Sequence, residues 1–176
     1  KMNSEKIKKA LLSLGERVAL RLQQLDALQN NDLANLAELL TQEAELAQEP
    51  QERDWLLFKA GELALEQGEI DRAQELFAKI QHSPEWKELS LIFLQQQAIK
   101  NKDLTWLAEL YLERAKIKEQ NSQMALRLLS ARLLAFQVQE LNRAEELIEQ
   151  LAQDYQNELP VLLTQAQFYL QQANWK

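Results

Sequence analysis

Apolar residues recur at three- and four-residue spacing along almost the whole chain, and short polar stretches break the pattern at regular intervals. The first stretch carries Ile7, Leu11, Leu14, Val18, Leu25 and Leu28, an a/d-like seam on a long helix. The periodicity predicts nine helices, over 5–29, 32–48, 52–67, 70–81, 84–100, 103–118, 122–138, 141–156 and 160–173. Two kinds of break separate them. Asn30-Asn31, Gln67-Gly68 and Asn101-Lys102 are small or polar interruptions of the kind that turn one helix back on the next. Gln48-Glu49-Pro50, His82-Ser83-Pro84 and Asn157-Glu158-Leu159-Pro160 instead carry proline, which opens a helix because its missing N–H is not needed in the first turn. Ser83 is placed to cap the helix that Pro84 begins.

The breaks belong to an internal repeat. Asn30–Leu40 reads onto Asn101–Tyr111 with seven of eleven positions identical, and Asp32 to Asp103 is an offset of 71. Glu69-Ile70-Asp71-Arg72-Ala73-Gln74-Glu75-Leu76-Phe77 reads onto Glu140-Leu141-Asn142-Arg143-Ala144-Glu145-Glu146-Leu147-Ile148 with the same offset of 71. Aligning Phe77 with Tyr111 divides that offset into 34 and 37, so the unit is a helical hairpin.

Composition narrows the class without changing it. Three Gly and three Pro in 176 residues leave little material for the tight turns of an all-β or doubly wound fold, so the expected class is all-α. The absence of cysteine removes disulfides, thiolate nucleophiles and cysteine zinc sites. Net charge is -7, and residues 32–75 hold twelve acids against Arg53, Lys59 and Arg72, leaving +2 for the remainder. A basic stripe that would neutralise nucleic-acid phosphates is missing; Lys6, Lys8 and Lys9 are better read as solubilising a helix end. No apolar run reaches the ~18 to 20 residues of a membrane span. The chain is therefore expected to work in the cytoplasm, or alternatively in the periplasm or as the soluble part of an envelope-anchored protein.

Trp55-Leu56-Leu57-Phe58-Lys59-Ala60-Gly61, followed by Gly68, Ala73, Phe77 and Pro84, resembles the tetratricopeptide repeat, with its Gly in the first helix, A-x3-F in the second and a closing Pro. The spacing of 34 is also that family's, and the resemblance covers residues 17–176 at the level of hairpin spacing. Gln95 and Arg132 stand where the first-helix Gly would be, Leu107 where the family prefers Ala, and Ile148 where it prefers an aromatic. The resemblance implies a right-handed α-solenoid of antiparallel hairpins, with residues 1–16 as a helical extension and 17–176 as the repeat domain. Ala173 falls 34 residues after Gln139, so the chain is expected to stop inside its last hairpin and to leave Val161, Leu162, Phe168 and Tyr169 partly bare.

In such a stack the first helix of each hairpin lines the inner side, where partners of the family bind. Two of these helices are apolar nearly all round: Trp55 to Leu65, and Leu126 to Val138. Either neighbouring hairpins cover them as core, or Trp55, Phe58, Leu89, Ile92, Phe93, Leu129 and Phe136 form an apolar groove for an amphipathic helix or extended peptide. The Lys, Asn and Arg set with which some family members hold a C-terminal carboxylate is replaced by Phe58, Glu62, Phe93 and Ser130. The helix 1 seam either packs as a cap or pairs with another chain, which makes a homodimer through helix 1 or the C-terminal end a candidate assembly.

Catalysis has no visible carrier. His82, the single histidine, sits at a connection, and the carboxylates repeat at helical spacing on outward faces. No phosphate-binding loop, nucleophile elbow, metalloprotease helix or calcium loop is present. The expected function is a protein-interaction scaffold without enzyme activity, metal or cofactor, within a larger protein or complex of bacterial style. A ligand-sensing helical-repeat domain and a non-exchanging oligomerisation module are the alternatives.

Overall fold

The computed structural model describes the backbone of residues 4–173 and the side chains of residue 12 and residues 14–173. The side chains of Ile7 and Leu11, and Asn174 and Trp175, lie outside the described residues. The architecture is all-helical: α1 (Ser4–Gln29), α2 (Leu33–Leu46), α3 (Pro50–Glu66), α4 (Ile70–Ala78), α5 (Pro84–Lys100), α6 (Leu104–Ala115), α7 (Gln120–Leu133), α8 (Leu141–Asp154) and α9 (Leu159–Ala173). Residues 4–29 form one continuous helix, so a boundary at 16/17 falls inside α1. Two compact units divide the chain, residues 1–90 and 91–176. In the first, α1 packs on α2, α2 on α3 and α3 on α4; in the second, α6 packs on α7, α7 on α8 and α8 on α9.

Each hairpin turns on one left-handed residue. Positive φ occurs at Asn31 (53°), Gly68 (78°), Lys102 (57°) and Gln139 (63°), spaced 37, 34 and 37 apart, the same division that the sequence repeat gives. At the first three the next residue closes the helix with an N–H to the carbonyl five residues back: Asp32 to Ala27 at 2.8 Å, Glu69 to Ala64 at 2.9 Å and Asp103 to Ala98 at 2.9 Å. This satisfies a carbonyl that the helix end would leave unpaired. All three accepting alanines are buried. The fourth turn differs. Residues Leu134–Val138 form one π-helical turn, and Glu140 reaches six residues back to Leu134 at 3.0 Å.

The starts of the second helices alternate with the 71-residue period. Asp32 and Asp103 cap α2 and α6 by accepting from the N–H of Asn35 (3.1 Å) and Trp106 (2.9 Å). Glu69 and Glu140 carry one more methylene, make no such cap, and instead bind Arg72 and Arg143 three residues on. Those arginines reach back across the hairpin stack to Glu38 (2.8 Å) and Glu109 (3.5 Å), so the Glu–Arg–Glu arrangement recurs at the same offset in both units. Exposed pairs of this kind contribute about 0–1 kcal/mol each.

Packing inside the first unit centres on Gly61. A methyl built there would overlap the buried Phe77 ring, so the glycine lets α4 approach α3 closely. Phe77 stacks on Phe58 (5.9 Å between centroids), and Phe58 meets Trp86 at 5.0 Å. The second unit buries Ala108, Ala131, Leu134, Ala135, Ala144, Ile148, Leu151, Val161 and Phe168 together. The positions matching Gly61 are solved differently. Gln95 is buried and accepts from Arg114, while Arg132 points outward, over the Phe136 ring and onto Thr164 (3.2 Å).

Connections between hairpins depend on long-range polar contacts. The fully buried Asp54 accepts the backbone N–H of Gln81 (3.4 Å) and His82 (2.6 Å). Ser83 does not cap α5 through its side chain: its buried Oγ makes no hydrogen bond, and Asp54 holds this connection instead. In the second unit Arg127 pairs with Asp154 (2.6 Å) and the Tyr155 hydroxyl donates to Gln123 (3.2 Å).

Gly61→Ala should destabilise the chain by about 1–2 kcal/mol in urea unfolding, since overpacking exceeds the gain in helix propensity. Adding Phe77→Leu should recover part of that loss.

Candidate interaction surfaces

The seven residues expected to line an inner groove fall into two sets. Trp55, Phe58 and Leu89 belong to the first unit, and Ile92, Phe93, Leu129 and Phe136 to the second. Phe58 is a core residue, 5% exposed and held between Phe77 and Trp86, so it cannot serve as an open wall. Ile92 and Phe93 are half-buried, and Phe136 is half-buried under Arg132 and against the second core. Trp55 (42%), Leu89 (38%) and Leu129 (46%) are the groove candidates left open. Most of the apolar surface of α3 and α7 is thus covered by neighbouring helices: Leu56, Leu57, Ala60 and Ala64 are buried on α3, and Leu126 and Ala131 on α7.

Larger apolar surfaces lie on α1 and α9. At about 100° per residue, Arg17, Leu20, Gln24 and Ala27 share the face of α1 that packs on α2. Leu14, Val18, Leu22 and Leu25 share another face roughly 135° away, and each is more than half exposed. The helix is held inward by its polar side. Glu43, on α2 and only 2% exposed, accepts from Arg17 (3.2 Å), Arg21 Nε (2.8 Å) and Gln24 (2.9 Å). Arg17 also binds Glu52 at the start of α3. Burial raises the Glu43 pKa, but the hydrogen bonds from Gln24, Arg21 and Arg17 outweigh it and leave the carboxyl below its usual range. Gly15 sits mid-helix with nothing among the described residues within 4 Å of a would-be Cβ, and it weakens α1 by about 1 kcal/mol relative to Ala.

On α9 the packed side is Val161, Thr164 and Phe168, all buried. Val161 and Phe168 are therefore not bare as the repeat spacing predicts, because α9 turns them onto the core it shares with α8. The opposite side exposes Leu159, Leu162, Leu163, Tyr169 and Leu170. The Tyr169 hydroxyl donates to Glu149 (3.2 Å), and partial burial followed by that carboxylate pushes its pKa up. No charged residue occurs in Leu159–Ala173. Beside its last turn is a notch of about 190 Å³ lined by Ala135, Gln139, Leu141, Gln171 and Gln172.

The polar depressions offer little chemistry. One is lined by Glu38, Gly68, Glu69, Ile70, Asp71 and Arg72, and its counterpart 71 residues on by Gln139 to Arg143. Both are open, and their arginines are already paired, Arg72 with Glu38 and Glu69 and Arg143 with Glu109 and Glu140. His82 is exposed, with its backbone N–H committed to Asp54. Among the described residues no group of three His, Cys, Asp or Glu is placed to hold a metal ion, and no helix is long and apolar enough to cross a membrane.

Glu43→Gln should cost about 3 kcal/mol, toward the lower end for a broken buried pair because Arg17 keeps Glu52. The sign of the acid response follows from a depressed carboxyl: its contribution is complete above the unfolded-state value and is lost as pH falls through the folded one. Urea titrations between neutral pH and pH 3 should show this loss in the parent chain and its absence in Glu43→Gln.

Comparison with protein families, curated proteins and solved structures finds no match to this chain.

Proposed function

We propose that this chain is a tetratricopeptide-like interaction scaffold that takes an amphipathic partner helix onto the outer face of α9, acting in the cytoplasm and without catalysis or a cofactor. The carrying observation is the apolar stripe of α9, whose exposed leucines stand opposite a packed face. Helical repeats gain stability by adding one helix at a time to such a face, so a partner helix with matching spacing extends the stack in its natural direction. The absence of charge on α9 favours an apolar seam, and the notch beside Gln171 and Gln172 has room for an anchoring side chain. Two alternatives are less supported. The depressions lined by charged residues suit a small apolar ligand poorly, and inner-face docking keeps only Trp55, Leu89 and Leu129 as exposed apolar side chains, fewer than α9 offers.

Partner capture by the full chain tests this. The Leu163→Glu, Leu170→Glu variant alters exposed positions, should fold normally, and should bind the captured partner at least about tenfold more weakly. A Trp55→Glu, Leu129→Glu variant should bind as the parent does. The opposite pattern would move the site to the inner face, and capture insensitive to both would refute an apolar docking surface on either.

A further inference from the structure

We propose that the helix received by α9 carries carboxylates along one flank of its apolar seam and cations along the other, because the two long edges of the α9 stripe differ in charge. The inference rests on docking at α9 and adds the chemistry of the partner. α9 itself is uncharged, so neighbouring helices set the charge of its edges. Gln167 and Tyr169 are two residues apart, so helical rotation sends them to nearly opposite sides of the stripe. Leu163 and Leu170 stand beside Gln167, four residues before it and three after, while Leu162 shares the side of Tyr169.

On the Gln167 edge the charge is Arg132 of α7. Its Nη1 donates to Thr164 Oγ1 (3.2 Å) and Gln167 Oε1 (3.3 Å), and its guanidinium lies over the Phe136 ring, 5.5 Å from the centroid. All three partners are neutral. Among the described residues Arg132 meets no carboxylate, whereas Arg72, Arg127 and Arg143 each hold one. Residues 120–139 contain no acid that could reach it from its own helix. The side chain is therefore fixed with its charge unneutralised, and a guanidinium in that state offers its remaining N–H groups to a carboxylate.

On the Tyr169 edge the sign is reversed. Glu149 of α8 accepts from the Tyr169 hydroxyl (3.2 Å), and Glu145, four residues earlier on the same face of α8, also acts on that hydroxyl. Both carboxylates are exposed, and neither meets a cation among the described residues. A partner acidic on both flanks would be repelled by Glu145 and Glu149, and one basic on both flanks by Arg132. Edges of opposite sign thus act as the charged flanks of paired helices do, rejecting wrong partners more than adding affinity.

Three synthetic helical peptides with one common leucine seam test this on the full chain, in about 0.15 M salt so that only close charges count. One carries glutamate on one flank and lysine on the other, one glutamate on both, and one lysine on both. The mixed peptide should bind at least about threefold more tightly than either of the others. Arg132→Glu makes both edges acidic and should move the preference to the all-lysine peptide. The Glu145→Lys, Glu149→Lys variant should move it to the all-glutamate peptide. Arg132→Gln keeps a donor for the buried Thr164 and should erase the advantage of the mixed peptide over the all-lysine one. Equal binding of the three peptides, or a preference unchanged by Arg132→Glu and Arg132→Gln, would overturn the inference and leave docking on α9 intact. Absence of binding by all three, or binding undiminished in the Leu163→Glu, Leu170→Glu variant, would overturn docking on α9 and this inference with it.

Discussion

The structure depends on one backbone constraint repeated four times, a single residue in the left-handed region at the tip of every hairpin. An L residue there costs about 1–2 kcal/mol unless it is glycine, and only Gly68 is. Asn31, Lys102 and Gln139 accept the cost because the turn lets the following N–H close the preceding helix and sends the chain back along a buried alanine or leucine carbonyl. Once these tips are placed 37, 34 and 37 residues apart, the hairpin length, the registry of Glu38 with Arg72 and that of Glu109 with Arg143 follow.

A second constraint is set by Glu43. A carboxylate this deeply buried needs partners on several sides, and α1 supplies three. The helix therefore packs by its arginines and glutamine, with Leu20 and Ala27, and turns its more apolar stripe to solvent. This inverts the usual arrangement of an amphipathic helix on a core. The opposite end of the chain obeys the ordinary rule, since α9 packs Val161 and Phe168 inward, yet it too retains an apolar outer stripe. The two most apolar exposed surfaces thus arise for different reasons, one from polar anchoring and the other from a helix apolar on two sides.

What was legible in the sequence was local or repeated. The helices, the proline starts and the tips at Asn31, Gly68 and Lys102 follow from neighbours within one turn, and the 71-residue offset exposes its own division into 34 and 37. Long-range choices were not legible. Nothing near Asp54 says that it will hold the N–H groups of Gln81 and His82, and so Ser83 looked like the cap. Phe58 and Trp55 share an apolar run, but only packing against Phe77 and Trp86 decides that the first is core and the second half-open. The seam on α1 was visible as a pattern. Its outward direction was not, because that depends on Glu43 from another helix.

The most direct measurement of the central claim is urea unfolding of Lys102→Gly and Gln139→Gly. If left-handed tips close the hairpins, glycine relieves backbone strain at both, and each variant should be more stable than the parent by about 0.5–1 kcal/mol. A loss of about 1 kcal/mol at both, the ordinary cost of glycine within a helix, would contradict the account.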